Sequence, residues 1–365
     1  MTDNSMINRA ITSTAAPDRG NRTRMAYFRR RKRTAAAKAG SQVEAIIAAL
    51  KRCATQRLRS PIVSTVLLVC LSATAWAQNP TQAQARQQLL QAVESGELHD
   101  AVLLGQQAVS RWPQDAQLRH YLGVAYFKTG DTKQAQEQLT RARELNPQDS
   151  ATHFDLALLF LSEQNYAPAA DELELAIQLQ PGNASAHLFL GRAYLNSNRS
   201  LQAIEEFKSA IKLDPAIKLG HYHLGFAYFS LGRNDEAIRE YNQEIRRSGE
   251  TPAVVYELGR ALSESGRYQE AMVYLQRGTE LDARNPDVWY NLGKAQALAG
   301  RNAQAEPSLR KAAELNPQDP SPHYQLARVL AKLGKTEEAR SERERFAELK
   351  KAQPAAAGMA TGRDQ

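Results

Sequence analysis

Cysteine is almost missing from this chain. Among 365 residues there are two, Cys53 and Cys70, and both precede residue 78. The rest of the chain can therefore form no disulfide, no Cys-ligated zinc site and no thiol nucleophile. It also lacks a Gly-rich phosphate loop, a zinc-protease helix of the His-Glu-x-x-His type and any Ser–His–Asp arrangement. No catalytic constellation is left, so an enzyme is not expected, nor a metal, a cofactor or a small-molecule substrate. A basic surplus is missing as well, once the chain is divided. The formal net charge of +8 suggests a nucleic-acid binder, but residues 1–77 hold 14 basic and 3 acidic side chains, and the remainder holds 33 and 36. The positive charge belongs to the leader, and no nucleic-acid partner is expected.

What is present begins with that leader. Residues 1–57 are rich in Arg, Ala, Ser and Thr, with a cluster at Arg29–Arg33. Nothing there can build a core, so the stretch reads as a disordered basic leader. Arg57-Leu58-Arg59 then precedes an apolar run, Pro61–Leu71, and the small residues Ala75 and Ala77. A positive flank, an apolar segment and a small-x-small site predict a signal peptide over 58–77, cleaved between Ala77 and Gln78. Its late position fits a translation start nearer Leu58. The alternative is an uncleaved anchor over 61–77, a stretch marginal in length for a span.

From Gln82 a 34-residue period runs without insertion, with repeats starting at 82, 116, 150, 184, 218, 252, 286 and 320 and ending at 353. Such a period names a stacked-repeat architecture. Each repeat reads as two short helices. Gly96, Gly130, Gly232, Gly266, Gly300 and Gly334 mark the turn, where glycine takes a left-handed conformation without steric cost. Pro113, Pro147, Pro181, Pro215 and Pro317 stop the second helix. Small residues such as Gly191 and Ala203 let the helices approach closely. Glu244 to Pro252, where an interior alanine and a terminal proline are both replaced, reads as the least well packed junction. The tail 354–365 is expected to be disordered.

Leu190-Gly191-x-x-Tyr194, Ala203, Phe207, Ala210 and Pro215, with their counterparts in most repeats, carry a resemblance to the tetratricopeptide repeat family over 82–353. The resemblance implies an all-α solenoid of antiparallel helix pairs in a right-handed superhelix. It also implies a concave groove, lined by the first helix of each repeat, that binds peptides or partner proteins. The Lys and Asn set of the family's chaperone-type carboxylate clamp is absent.

His153, His187, His221 and His323 share one slot of the repeat. An array for metal binding is the sharp reading. Equivalent atoms in successive repeats lie about 10 Å apart, too far to share one ion at about 2 Å. Trp289 fills the same slot, and packing is the expected role.

The resemblance places the second, fifth, ninth, twelfth and thirteenth first-helix positions in the groove, and the fifth, ninth and twelfth are read residue by residue. These predict a partner site at Phe127, Phe154, Leu158, Leu188, Arg192, Tyr222, Phe226, Phe229, Tyr256, Arg260, Tyr290, Lys294, Tyr324 and Arg328. The groove should be apolar in its N-terminal two-thirds, then tyrosine-lined and cationic. Arg260, Lys294 and Arg328 are expected to end in solvent and to receive a carboxylate beside an apolar or aromatic group.

The sequence thus predicts a non-catalytic, exported scaffold or adaptor, periplasmic or extracellular in a bacterium, that holds a protein or peptide segment. The alternative is a membrane-tethered assembly factor or an accessory subunit of an enzyme complex, facing the periplasm and anchored by an uncleaved 61–77 segment.

Overall fold

The turn glycines set the fold. The computed structural model describes residues 80–360, with side chains to residue 352. At Gly96, Gly130, Gly232, Gly266, Gly300 and Gly334 the backbone is left-handed, with φ between 71° and 88°. Each ends a first helix and turns the chain back along itself. Gln164 and Asn198 take the same conformation in the two repeats that lack the glycine. Among the described residues the result is sixteen helices and no strand.

The chain divides into two compact units, Met1–Gln148 and Asp149–Gln365. In the first lie α1 (Gln82–Ser95), α2 (Leu98–Arg111), α3 (Ala116–Thr129) and α4 (Thr132–Leu145). Their core holds Leu89, Ala101 and Leu118, each fully buried. Asp115 caps α3 by accepting from the Leu118 amide, and it also receives Arg86 Nε and Gln82 Nε2, both at 2.7 Å. Burial alone would raise its carboxyl, but these three donors hold it below the ordinary value.

The second unit holds α5 (Ser150–Ser162), α6 (Tyr166–Leu179), α7 (Ala184–Asn196), α8 (Ser200–Leu213), α9 (Gly220–Ser230) and α10 (Asn234–Ser248). It continues with α11 (Pro252–Glu264), α12 (Tyr268–Leu281), α13 (Pro286–Leu298), α14 (Asn302–Leu315), α15 (Pro320–Lys332) and α16 (Thr336–Ala360). Within this unit, from α6 onward each helix packs on the one before it, and each first helix also meets the next first helix. The core runs through the stack and includes the fully buried Leu173, Phe207, Tyr241, Leu258 and Leu275. A Cβ on Gly191 would stand 2.6 Å from the Phe207 ring, so only glycine lets α7 and α8 close to this distance.

The histidine slot is a latch. Nδ1 of His153, His187, His221 and His323 donates to Glu172, Glu206, Glu240 and Glu342, each nineteen residues on, at 2.6–2.7 Å. Each pair ties the first helix of a repeat to its second. Trp289 uses the slot differently, donating its indole N–H to the Ala283 carbonyl at 2.9 Å. Among the described residues no three His, Cys, Asp or Glu side chains gather as a metal site.

Two features depart from the expected frame, and one junction keeps to it. The helix of the fifth repeat begins at Gly220, not 218. Leu219 takes the left-handed region at φ 62°, and Gly220 closes on Ile217, whose Cγ2 would be 2.7 Å from a Cβ there. The Glu244–Pro252 junction, expected to be the least well packed, is by a small margin the loosest repeat junction of this unit. Glu244 is buried and accepts from the Ser248 hydroxyl at 2.8 Å, and α10 runs on to Ser248 in place of the missing proline stop. The tail expected to be disordered from 354 is helical to Ala360, in keeping with the helix propensity of Ala355, Ala356 and Ala357. The leader, the 58–77 segment and its cleavage residues Ala75, Ala77 and Gln78 lie outside the described residues. Among the described residues no helix is long and apolar enough to cross a membrane.

Candidate functional site

In the second unit α5, α7, α9, α11, α13 and α15 adjoin in order and make one face. Their fifth, ninth and twelfth positions recur along it. Phe154, Leu158, Arg192, Tyr222, Phe226, Phe229, Tyr256, Tyr290 and Lys294 are partly buried there, whereas Tyr324 and Arg328 are exposed. Leu188, expected to line the groove, is buried in the core instead. Phe127 belongs to the first unit, where it is partly buried on α3.

The N-terminal part of the face is aromatic. Phe154 meets Phe189 edge-on, with centroids 5.8 Å apart. His223 stacks on Phe207 at 5.6 Å and stands edge-on to Tyr222 at 5.3 Å. Burial, with help from the Arg192 charge, pushes the His223 imidazole down to about 3, so it is neutral at pH 7. Arg192 lies over the Phe189 ring at 5.2 Å. Burial lowers its guanidinium from the ordinary value, and Tyr166 opposes the shift.

The C-terminal part corrects the expected ladder of free cations. Arg260 is engaged on its own helix. It donates to both oxygens of the buried Glu257, at 2.8 and 3.1 Å, and lies over the Phe229 and Tyr256 rings. Burial raises the Glu257 carboxyl while Arg260 works against it, and Glu257 in turn holds the Arg260 charge against its own burial. Lys294 donates to Glu264 of α11 at 2.9 Å. Arg328 lies over Tyr324 at 5.7 Å, open to water. Tyr256 receives Asn291 Nδ2 at 3.3 Å, and burial pushes its phenol up to about 12.

Sequence reasoning missed Phe189, His223, Glu257 and Glu264. The first three share the sixth position of the repeat, beside the fifth that was read. Glu257 could have been found three residues before Arg260, where helix partners meet. Glu264 stands at the thirteenth position, which the resemblance also places in the groove, but its pairing with Lys294, thirty residues on in the next repeat, had no local signal. Beneath this face the Tyr241 ring is fully buried, and its hydroxyl has no hydrogen-bond partner among the described residues.

Three repeat patterns match the chain. One, described as TPR repeat, covers 259–300, and two described as tetratricopeptide repeat cover 92–156 with 296–360, and 188–252. The chain is a tetratricopeptide repeat protein. No catalytic family is among the matches to this repeat protein. The fold is shared with the Cut9–Hcn1 hetero-tetramer of the APC/C, at 21% identity and a TM-score of 0.53, over 66% of this chain and 48% of that one. The repeat protein thus spans about half the length of that chain. YrrB, a TPR protein described with an unusual peptide-binding site, aligns at 22% identity and a TM-score of 0.46, over 51% of this chain and 96% of its own. MamA aligns at 28% identity and a TM-score of 0.42, over 44% and 95%. Comparison with curated proteins finds no match.

Proposed function

We propose that this repeat protein is an exported, non-catalytic adaptor that holds an extended segment of a partner protein against the first-helix face of its second unit. The observation that carries the reading is the run of half-buried rings Phe154, Phe189, Tyr222, Phe226, Phe229 and Tyr256 along one face. Rigid aromatic side chains offer contact area at small entropic cost and are frequent at binding hot spots. The proposal of export rests on the sequence of residues 58–78, a basic flank, an apolar run and a small-x-small site.

The test of the groove is capture. The full chain, immobilised, is compared with Phe226→Glu and with an exterior control, Leu201→Glu, in an extract of the source cells. We expect Phe226→Glu to lose the captured partners with its helical signal intact, and Leu201→Glu to keep them. Equal capture by all three would sink the groove reading. For export, N-terminal sequencing of the natural protein is expected to begin at Gln78. A mature chain that retains 61–77 would favour the tethered alternative.

A further inference from the structure

The groove contains one cation that the fold leaves uncompensated within an apolar setting. Arg260 is matched by Glu257 and Lys294 by Glu264, and Arg328 stands in water, where an unpaired charge costs little. Arg192 differs from all three. It is partly buried, and among the described residues no hydrogen bond or ion pair reaches its guanidinium. The same ninth position is Leu158 on α5 and Phe226 on α9, so apolar side chains flank it on both neighbouring helices. The Phe189 ring lies beneath it, with Phe154 edge-on beyond, and His223 on the other side is neutral. A ring face offsets part of the cost of drying a guanidinium, but it gives five N–H donors no hydrogen-bond acceptor. Leaving such donors unmet in a half-dry site is unfavourable.

We propose that Arg192 is the anchor of the groove and takes a carboxylate of an extended peptide whose neighbouring side chain is apolar or aromatic. This rests on the groove reading above. A planar guanidinium presents two parallel N–H groups that match the two oxygens of a carboxylate. One carboxylate neutralises the one charge, whereas a dianionic phosphate would leave excess negative charge against Leu158, Phe189 and Phe226. The same rings receive the apolar neighbour. The carboxylate can be an Asp or Glu side chain or a chain terminus, and both are the same chemistry to Arg192.

The test uses the full chain and three fluorescein-labelled octapeptides in anisotropy titrations. The first carries an internal Phe-Asp-Phe and an amidated end. The second ends in Phe-Phe with a free carboxylate, and the third is the first with Asn in place of Asp. We expect at least one acidic peptide to bind the parent tenfold or more tighter than the Asn peptide, and the one that does identifies the source of the carboxylate. Arg192→Met should remove that advantage, Arg192→Lys should restore part of it, and Lys208→Ala, on the exposed side of the second helix Ser200–Leu213, should leave it intact. The melting temperature of Arg192→Met should equal or exceed the parent's, which separates an anchor from a structural residue. Equal binding of acidic and neutral peptides by the parent, or an equal loss for both in Arg192→Met, overturns the anchor. The groove reading would then still stand or fall on the Phe226→Glu capture result.

Discussion

The two halves of the groove treat positive charge in opposite ways. From α5 to α9 there is one cation, Arg192, set among rings and matched by no carboxylate among the described residues. On α11, α13 and α15 there are four cations, Arg260, Lys294, Arg328 and Lys332, and the two that are partly buried are held by Glu257 and Glu264. The C-terminal half is richer in charge and offers less of it. Availability is decided by the neighbours of a side chain, because a desolvated ion without a counterion is the one that gains most from an incoming partner.

This contrast can be broken by mutation, and the largest effects should fall on what both halves share. Gly191→Leu and Gly259→Leu each push a side chain into a contact already closed, against Phe207 at 2.6 Å and Leu275 at 2.6 Å. We expect each to cost about 1–3 kcal/mol or more in chemical denaturation. A marked difference between the two would mean that the halves are not packed alike.

Next in size is Arg260→Ala, which strands the Glu257 carboxylate in a buried site. We expect a loss of about 1–3 kcal/mol at pH 7, below the usual range for a fully buried pair because Arg260 is partly exposed. The pH dependence has a definite sign. A carboxyl whose folded value lies above its unfolded value binds its proton more tightly in the folded state. Its favourable contribution is therefore present below the unfolded value, about 4.3, and is lost as pH rises through the folded value. The variant should approach the parent in stability as pH falls towards 4, and Glu257→Gln in the same chain should relieve the loss at pH 7. A loss independent of pH would refute the pairing.

Arg192→Met should act in the other direction. Removing an uncompensated, partly dry charge is expected to leave stability unchanged or to raise it by up to about 1 kcal/mol, as is common where stability has been given up for binding. A clear loss would show that Arg192 holds the fold together. The smallest effect belongs to Lys294→Ala. Its partner Glu264 is exposed and Lys294 only partly buried, so about 0.5 kcal/mol or less is expected by thermal melting, falling further in added salt.

Much of the fold was legible because its rules are local. A glycine at the turn, a small residue at the crossing and a fixed 34-residue period each act within one repeat, so composition at a position is enough to read them. The departures were also local, but they came from conformations no pattern signals, such as the left-handed Leu219. The groove positions could be named one by one, yet their state could not. Leu188 and Phe154 share a slot, and the first is buried while the second is only partly so. Arg260 and Arg192 share another, and only the first has a carboxylate three residues earlier on its helix. Lys294 depends on a residue from the repeat before. Charge compensation is set by neighbours across repeats, and that information is absent from any single position.

The His–Glu latches have a consequence for how the chain is made. Each closes over nineteen residues and lies wholly within one repeat. A helix pair can therefore complete its polar tie as soon as its own second helix has left the ribosome, with no residue still awaiting synthesis. Chains dominated by such short-range contacts fold quickly, and repeat arrays can start at one site and grow outward. Each latch can close independently of the others, so assembly can spread in either direction from whichever repeat pairs first.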